Sequence, residues 1–153
     1  MYLASDGEID PVRVMAWCWP RGIRCYVPVV MQDDRNTLVF AEVTEHTTFS
    51  ENKFGIKEPV TGRRDLIDIQ QLDLVLLPLV AFDLNGNRVG MGGGFYDATF
   101  GFVKEAVCDR PRLIGVAHDA QRVDQVEVEP WDIPLSAVVT DARVYQRALG
   151  YRQ

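Results

Sequence analysis

Asn85-Gly86-Asn87-Arg88-Val89-Gly90-Met91-Gly92-Gly93-Gly94-Phe95-Tyr96-Asp97 lies between an apolar run, residues 74–82, and a stretch with helical spacing, residues 95–107. It holds five of the chain's 12 glycines. A strand, a glycine-rich loop and a helix start, in that order, gather backbone N–H groups into a cradle for an anion. Glycine lets the backbone approach the anion closely, and a helix N-terminus adds partial positive charge. In that reading Arg88 is a phosphate partner near the loop's start, and Asp97 is a magnesium ligand near its end. Gly90-Met91-Gly92-Gly93-Gly94 matches neither the P-loop nor the dinucleotide fingerprint. Glycine-rich turns without a ligand are common, so on spacing alone an anion site and a tight structural turn stand level.

Outward from this stretch, the elements alternate. Residues 82–89 predict a small hairpin turning at Asn85-Gly86. The run 73–80 is the most apolar strand and is expected at the centre of the sheet. From Phe95, apolar residues recur at Phe102, Val103, Ala106 and Val107, which predicts a helix over 95–107. Strands are expected at 112–116 and 137–140 on the far side, and at 23–30 and 38–43 on the near side. Tyr2-Leu3-Ala4 reads as the tail of another strand. Asp10-Pro11 signals a helix start with Asp as N-cap and Pro in the first turn. Val14, Met15, Trp17 and Cys18 form its apolar stripe, and Pro20 with Gly22 ends it. A short extended piece is expected at Phe54-Gly55-Ile56, and a frayed end at 149–153. Strands joined by helices or long crossovers predict an α/β fold: a three-layer sandwich with a mostly parallel central sheet flanked by helices.

The chain as a whole sets bounds on function. At 153 residues it is one domain, 1–153, with room for a substantial core. Its net charge of −6 argues against nucleic-acid binding through bulk charge. No apolar run approaches a membrane span, and the early Asp6, Glu8 and Asp10 are unlike a signal peptide. Cys18, Cys25 and Cys108 lack metal-type spacing and predict reduced, buried thiols in a cytoplasmic protein. Only two histidines, His46 and His118, are present, which makes a His-based zinc site a poor fit.

Pro78-Leu79-Val80-Ala81-Phe82-Asp83 followed by Arg88 through Asp97 resembles the 5-formyltetrahydrofolate cyclo-ligase family. Gly7-Glu8-Ile9-Asp10 is similar to that family's early acidic motif. Gly115-Val116-Ala117-His118-Asp119-Ala120-Gln121 is similar to its late strand and turn. Trp131-Asp132-Ile133-Pro134-Leu135, with Val138-Val139-Thr140, is similar to its C-terminal signature. Four segments in order are far more specific than any one of them. The resemblance implies an ATP- and magnesium-dependent cyclisation of 5-formyltetrahydrofolate to 5,10-methenyltetrahydrofolate, with release of ADP and phosphate. Such a reaction needs positioned cations and backbone donors more than a strong base.

Carried over residue by residue, the resemblance implies an ATP-binding loop of Arg88, Val89, Gly90, Met91, Gly92, Gly93, Gly94, Phe95 and Tyr96. Met91, Gly92, Gly93, Gly94, Phe95 and Tyr96 also face the folate, with Leu3 as an apolar contact and Glu8 on the pterin side. Tyr96 and Arg88 take catalytic roles, and Asp97 and Asp132 hold Mg2+. Each also has a plainer reading on the residues alone. Glu8 reads as a solvated acid, Tyr96 as a core aromatic, and Asp97 as a first-turn acid facing the helix dipole. Asp132 reads as a turn cap, Arg88 as a hairpin surface residue, Trp131 as packing and His118 as a hydrogen-bonded structural histidine. The cluster Lys57, Glu58, Arg63, Arg64 and Asp65 reads as a solvated face, with Arg63 or Arg64 on the folate's glutamate tail as the sharper alternative. The family's basic N-terminal helix has no counterpart before Ala4. The resemblance therefore leads us to expect weak or absent turnover, self-association through an uncovered sheet face, and, as an alternative, an inactive member that binds reduced folate.

Overall fold

The structure is a computed structural model that describes residues 1–30, 37–51, 57–60, 65–104 and 110–147. The expectations at Phe54-Gly55-Ile56, Arg63, Arg64, Cys108 and 149–153 lie outside the described residues, as does the end of the stretch 95–107.

Two sheets build the fold. The first is antiparallel, with β1 (Cys25–Val30), β2 (Leu38–Val43) and β5 (Leu66–Ile67) in the order β1-β2-β5. The second holds β6 (Leu74–Pro78), β9 (Arg112–Ala117), β10 (Ala137–Thr140) and β11 (Val144–Gln146) in the order β11-β10-β9-β6. β6, β9 and β10 run parallel, and β11 closes the edge antiparallel. The mostly parallel sheet is thus present, and the pair at 23–30 and 38–43 belongs to a separate antiparallel one. Two small ribbons complete the strands: β3 (Phe49–Glu51) with β4 (Lys57–Pro59), and β7 (Ala81–Phe82) with β8 (Arg88–Val89).

Two α-helices occur among the described residues, α1 (Val12–Cys18) and α2 (Phe95–Phe100). Helix α1 starts at Val12, whose N–H is taken by Asp10 Oδ1 at 2.9 Å, so Asp10 caps the helix from one residue further out than its spacing predicts. It buries Met15 and Cys18 against Cys25, Val27 and Val43 of the antiparallel sheet. Trp17, expected in that stripe, points outward and carries the Arg21 guanidinium 4.2 Å above its ring. Helix α2 is shorter than the periodicity suggests. Gly101 stands at its C-cap and the chain tightens into a 3₁₀ turn, Gly101–Lys104, since glycine is a poor helix former. No strand includes Tyr2-Leu3-Ala4.

Helix α2 lies where the two sheets meet. Phe100 packs on Phe40 of β2 with ring centroids 5.8 Å apart, and the Thr99 hydroxyl accepts the Leu38 N–H at 2.8 Å. Around them Leu77, Phe82, Leu113, Leu135 and Val138 form the main core. The run 73–80 is not central: β6 pairs only with β9 among the described residues and stands at the sheet's edge. Its apolar character comes from Val75 and Leu77, both fully buried in the main core, rather than from neighbours on both sides. The crossover from β6 to β9 carries β7, β8, the glycine loop and α2, so the loop emerges at the carboxyl end of β6, where ligands of open α/β sheets bind.

Candidate functional site

The hairpin expected at 82–89 forms, and a buried carboxylate organises it. Asp83 is 1% exposed. Its Oδ1 accepts the N–H groups of Asn85 and Asn87 at 2.9 and 3.0 Å, and its Oδ2 accepts Asn87 Nδ2 at 2.9 Å and the Val126 N–H at 3.1 Å. Burial alone would push this carboxyl up. The donors on Asn87, Val126 and Asn85 outweigh it and hold the group below its usual range. Gly86 turns the hairpin at φ +81°, and a side chain there would meet the Leu135 carbonyl at 2.6 Å. The close approach also lets the Leu135 N–H reach the Gly86 carbonyl at 2.8 Å. The turn is thus welded to the segment leading into β10.

The hairpin delivers Arg88 to the base of the glycine loop. Its side chain is only 6% exposed, so it is no surface residue of a hairpin. Nη2 contacts Asp97 Oδ1 at 2.8 Å and Nη1 donates to the Ile133 carbonyl at 2.5 Å. Asp97 Oδ1 in turn accepts the Ile133 N–H at 3.0 Å. One ion pair therefore ties β8, the first turn of α2 and the 131–133 segment together. Above it the loop bends through Gly92 and Gly94 at φ +85° and +63°, which only glycine adopts without strain. Among the described residues the N–H groups of Gly90, Met91 and Gly92 make no hydrogen bond, which leaves them available to an anion.

Asp97 and Asp132 reach the same cleft, of about 890 Å³. Asp132 Oδ2 accepts the Glu129 N–H at 2.8 Å, the turn cap its plainer reading describes. Asp97 Oδ2 and Asp132 Oδ1 accept nothing among the described residues. Among the described residues no group of three or more His, Cys, Asp or Glu side chains is arranged to hold a metal by itself. Two carboxylates on one wall, beside N–H groups suited to phosphate, nevertheless fit Mg2+. That ion keeps several waters and is commonly held by one or two carboxylates together with ligand phosphates.

The N-terminal turn, Ser5 to Glu8, also lines the cleft. Glu8 Oε2 accepts the Ser5 N–H at 2.9 Å, and the Tyr2 and Tyr96 phenols are raised by burial first and by the nearby Glu8 charge second. The Tyr96 hydroxyl therefore stays protonated and acts as a donor. Its ring stacks on Phe100 with centroids 6.4 Å apart, so the core reading and the cleft reading both hold for this residue. His118 takes the structural role expected of it: Nε2 meets the Gly7 carbonyl at 3.1 Å, and Gln121 bonds the His118 N–H at 2.6 Å. Gln121 also donates to the carbonyls of Leu79 and Val80 at 2.7 and 3.1 Å. This clamp holds the Gly7-Glu8 turn over the carboxyl ends of β6 and β9.

Arg88, Val89, Gly90, Met91, Gly92, Gly93, Gly94, Phe95, Tyr96, Asp97, Glu8 and Asp132 all line the cleft. Leu3 does not: it packs against the cluster of Met15, Cys18, Cys25, Val27 and Val43 behind the turn. Trp131, read as packing, is 66% exposed on the cleft wall. The work of Asp83 was missed in the sequence. Its one local signal is the Asp-x-Asn-Gly-Asn spacing, an Asx turn.

A cleft at the carboxyl ends of parallel strands, walled by a glycine loop with open N–H donors and by acidic side chains, defines a small-molecule-binding α/β protein. Comparison with known proteins narrows this. The chain belongs to the 5-formyltetrahydrofolate cyclo-ligase family, whose model matches residues 1–141, and the family's members are ligases. The 5-formyltetrahydrofolate cyclo-ligase of Escherichia coli strain K12 is 38% identical over 146 residues, 95% of this chain and 79% of that one. That of Haemophilus influenzae is 35% identical over 136 residues, covering 88% and 71%. The solution structure of Aquifex aeolicus 5,10-methenyltetrahydrofolate synthetase superposes with a TM-score of 0.75 at 28% identity, over 99% of this chain and 72% of that one.

Proposed function

We propose that this chain cyclises 5-formyltetrahydrofolate to 5,10-methenyltetrahydrofolate and converts ATP to ADP and phosphate in doing so. One observation carries the reading: a single cleft is lined by the glycine loop, Arg88, Tyr96, Asp97 and Asp132 together with Glu8 of the N-terminal turn. The formyl oxygen is a poor leaving group. It attacks the γ-phosphorus, ADP departs, and the formyl carbon becomes an activated imidate phosphate. N10 then attacks that carbon, phosphate leaves, and N10 loses its proton as the amidinium forms.

Each residue's part follows from its chemistry. The N–H groups of Gly90, Met91 and Gly92 receive phosphate oxygens without reorganisation. Arg88 spends two N–H groups on Asp97 and Ile133 and keeps others for the phosphates. Tyr96, held neutral, donates to the formyl oxygen or to the phosphate that replaces it. Glu8 accepts from the pterin N–H groups. Asp97 and Asp132 would hold Mg2+, which supplies charge neutralisation for the transferring phosphoryl group. Leu3 is left out of the folate contacts and supports the Glu8 turn from behind.

On this reading residues 1–153 are one domain of a cytoplasmic protein. Cys18 and Cys25 are buried free thiols, which suits a reducing compartment, and no described helix is long and apolar enough to cross a membrane. Self-association is expected through an uncovered sheet face, and the exposed Val12, Val14, Trp17 and Ile23 around α1 offer further apolar surface for it. The test is an absorbance assay for methenyltetrahydrofolate with and without ATP on the purified chain. ATP-dependent product with stoichiometric ADP is expected. Folate binding without ADP release would overturn the ligase reading in favour of a folate-binding protein.

A further inference from the structure

We propose that Trp131 is the stacking platform for the adenine ring of the nucleotide. This deepens the ATP reading of the cleft and rests on it. Three tryptophans occur in the chain, and two are spoken for. Trp19 donates its ring N–H to the Val43 carbonyl at 3.0 Å, and Trp17, 54% exposed, has its face covered by Arg21. Trp131 is 66% exposed, and among the described residues neither an aromatic ring nor a guanidinium covers it. A large apolar ring left open on a cleft wall is a contact surface awaiting an occupant.

The backbone that carries the ring is also held. Lys104 Nζ donates to the Pro130 carbonyl at 2.6 Å on one side of it. On the other, Arg88 and Asp97 bond the carbonyl and N–H of Ile133. Asp132 closes its turn onto Glu129 in between. The segment bearing the platform is therefore held before any ligand arrives, which lowers the entropy lost on binding. Its position decides between the two flat rings the reaction uses. The segment is stapled to Arg88 and Asp97, the charged pair under the phosphate loop, whereas Glu8 serves the pterin from the N-terminal turn. Adenine, carried by the phosphates, is the ring within reach of Trp131. Base-on-indole stacking tolerates either orientation and needs no hydrogen-bond readout.

The experiment is titration calorimetry of wild type, Trp131→Ala and Trp131→Phe with ATP and, separately, with inorganic tripolyphosphate. Steady-state KM for 5-formyltetrahydrofolate is measured alongside. Trp131→Ala should weaken ATP by roughly 5- to 150-fold, the range set by alanine substitution at stacked bases. Tripolyphosphate affinity and the folate KM should stay unchanged, and Trp131→Phe should recover most of the loss. Unchanged ATP affinity in Trp131→Ala overturns the proposal. So does equal weakening of tripolyphosphate, which would mean the loop has collapsed, or a rise in the folate KM alone, which would put the pterin on Trp131. A wild type that binds neither ATP nor tripolyphosphate refutes the nucleotide reading itself, a result separable from failure of the variant.

Discussion

Replacing Asp83 by alanine should be among the most damaging single changes outside the cleft. The carboxylate is 1% exposed and accepts four hydrogen bonds, three within the 83–87 turn and one from Val126 across a loop. Hydrogen bonds to a charged group contribute about 1.5–3 kcal/mol each, and a buried donor left unpaired costs about 1–3 kcal/mol. The Asn85 and Asn87 donors are partly exposed and recover water, whereas the Val126 N–H is buried and does not. The net loss should be about 3–5 kcal/mol, a large share of the roughly 5–15 kcal/mol a domain has. Urea unfolding should show it as a lower midpoint at unchanged slope, and a thermal melt as a fall of about 6–20 °C. The pH dependence gives a sharper check. The folded carboxyl sits below its unfolded value of about 3.9, so its contribution is complete above about pH 4 and is lost as pH falls through the folded value. The gap between wild type and Asp83→Ala should therefore narrow only in acid. A loss below about 1 kcal/mol at neutral pH, or a gap constant down to pH 3, would refute the argument.

Three other changes probe the site. Tyr96→Phe removes a hydroxyl with no partner among the described residues, so stability should hold within about 0.5 kcal/mol while kcat falls about 100-fold, as when one transition-state donor is deleted; a kcat unchanged within twofold would remove Tyr96 from the chemistry. The raised Tyr96 phenol also means no loss of rate from tyrosinate formation up to about pH 10, which a pH–rate profile reads. Asp97→Ala leaves the Arg88 guanidinium buried without its partner, so urea unfolding should report a loss of about 3 kcal/mol, and the Mg2+ concentration for half-maximal rate should rise; normal Mg2+ dependence would exclude Asp97 as a ligand. Gly86→Ala forces a left-handed residue against the Leu135 carbonyl at 2.6 Å, for which a melt should show a loss of about 1–3 kcal/mol; an unchanged melting temperature would mean that the turn yields.

What was legible in the sequence was what is local. The Asn85-Gly86 turn, the glycine loop and the β2 and β10 strands are signalled within a few residues of themselves, and they form where expected. Four motifs in order were enough to bring Glu8, Arg88 to Asp97 and Asp132 to one cleft. What misled was periodicity without context. Helical spacing from Phe95 continues past Gly101, but a residue that favours turns sits at the C-cap, and the helix stops at Phe100. The apolar run 73–80 reported burial faithfully and sheet position wrongly, because an edge strand packed on a core looks like a central one. Trp17 and Trp131 look alike in composition, and only the fold separates the one under Arg21 from the one open to the cleft.

The pair Arg88 and Asp97 draws these threads into one argument about how the site is built. Nine residues apart in sequence, they meet because Asp83 and Gly86 set the hairpin and Gly92 and Gly94 turn the loop back over it. Both then bond Ile133, 45 and 36 residues further along respectively. A reader of the sequence sees a cation and an acid flanking glycines and assigns one to phosphate and the other to metal. The folded chain adds that each also neutralises the other, in a place too buried to leave either alone. The charge arrangement that would receive ATP and Mg2+ is therefore the same one that closes the loop onto the sheet. Substitutions there should move stability and turnover together, while those at Tyr96 and Trp131 should move function alone.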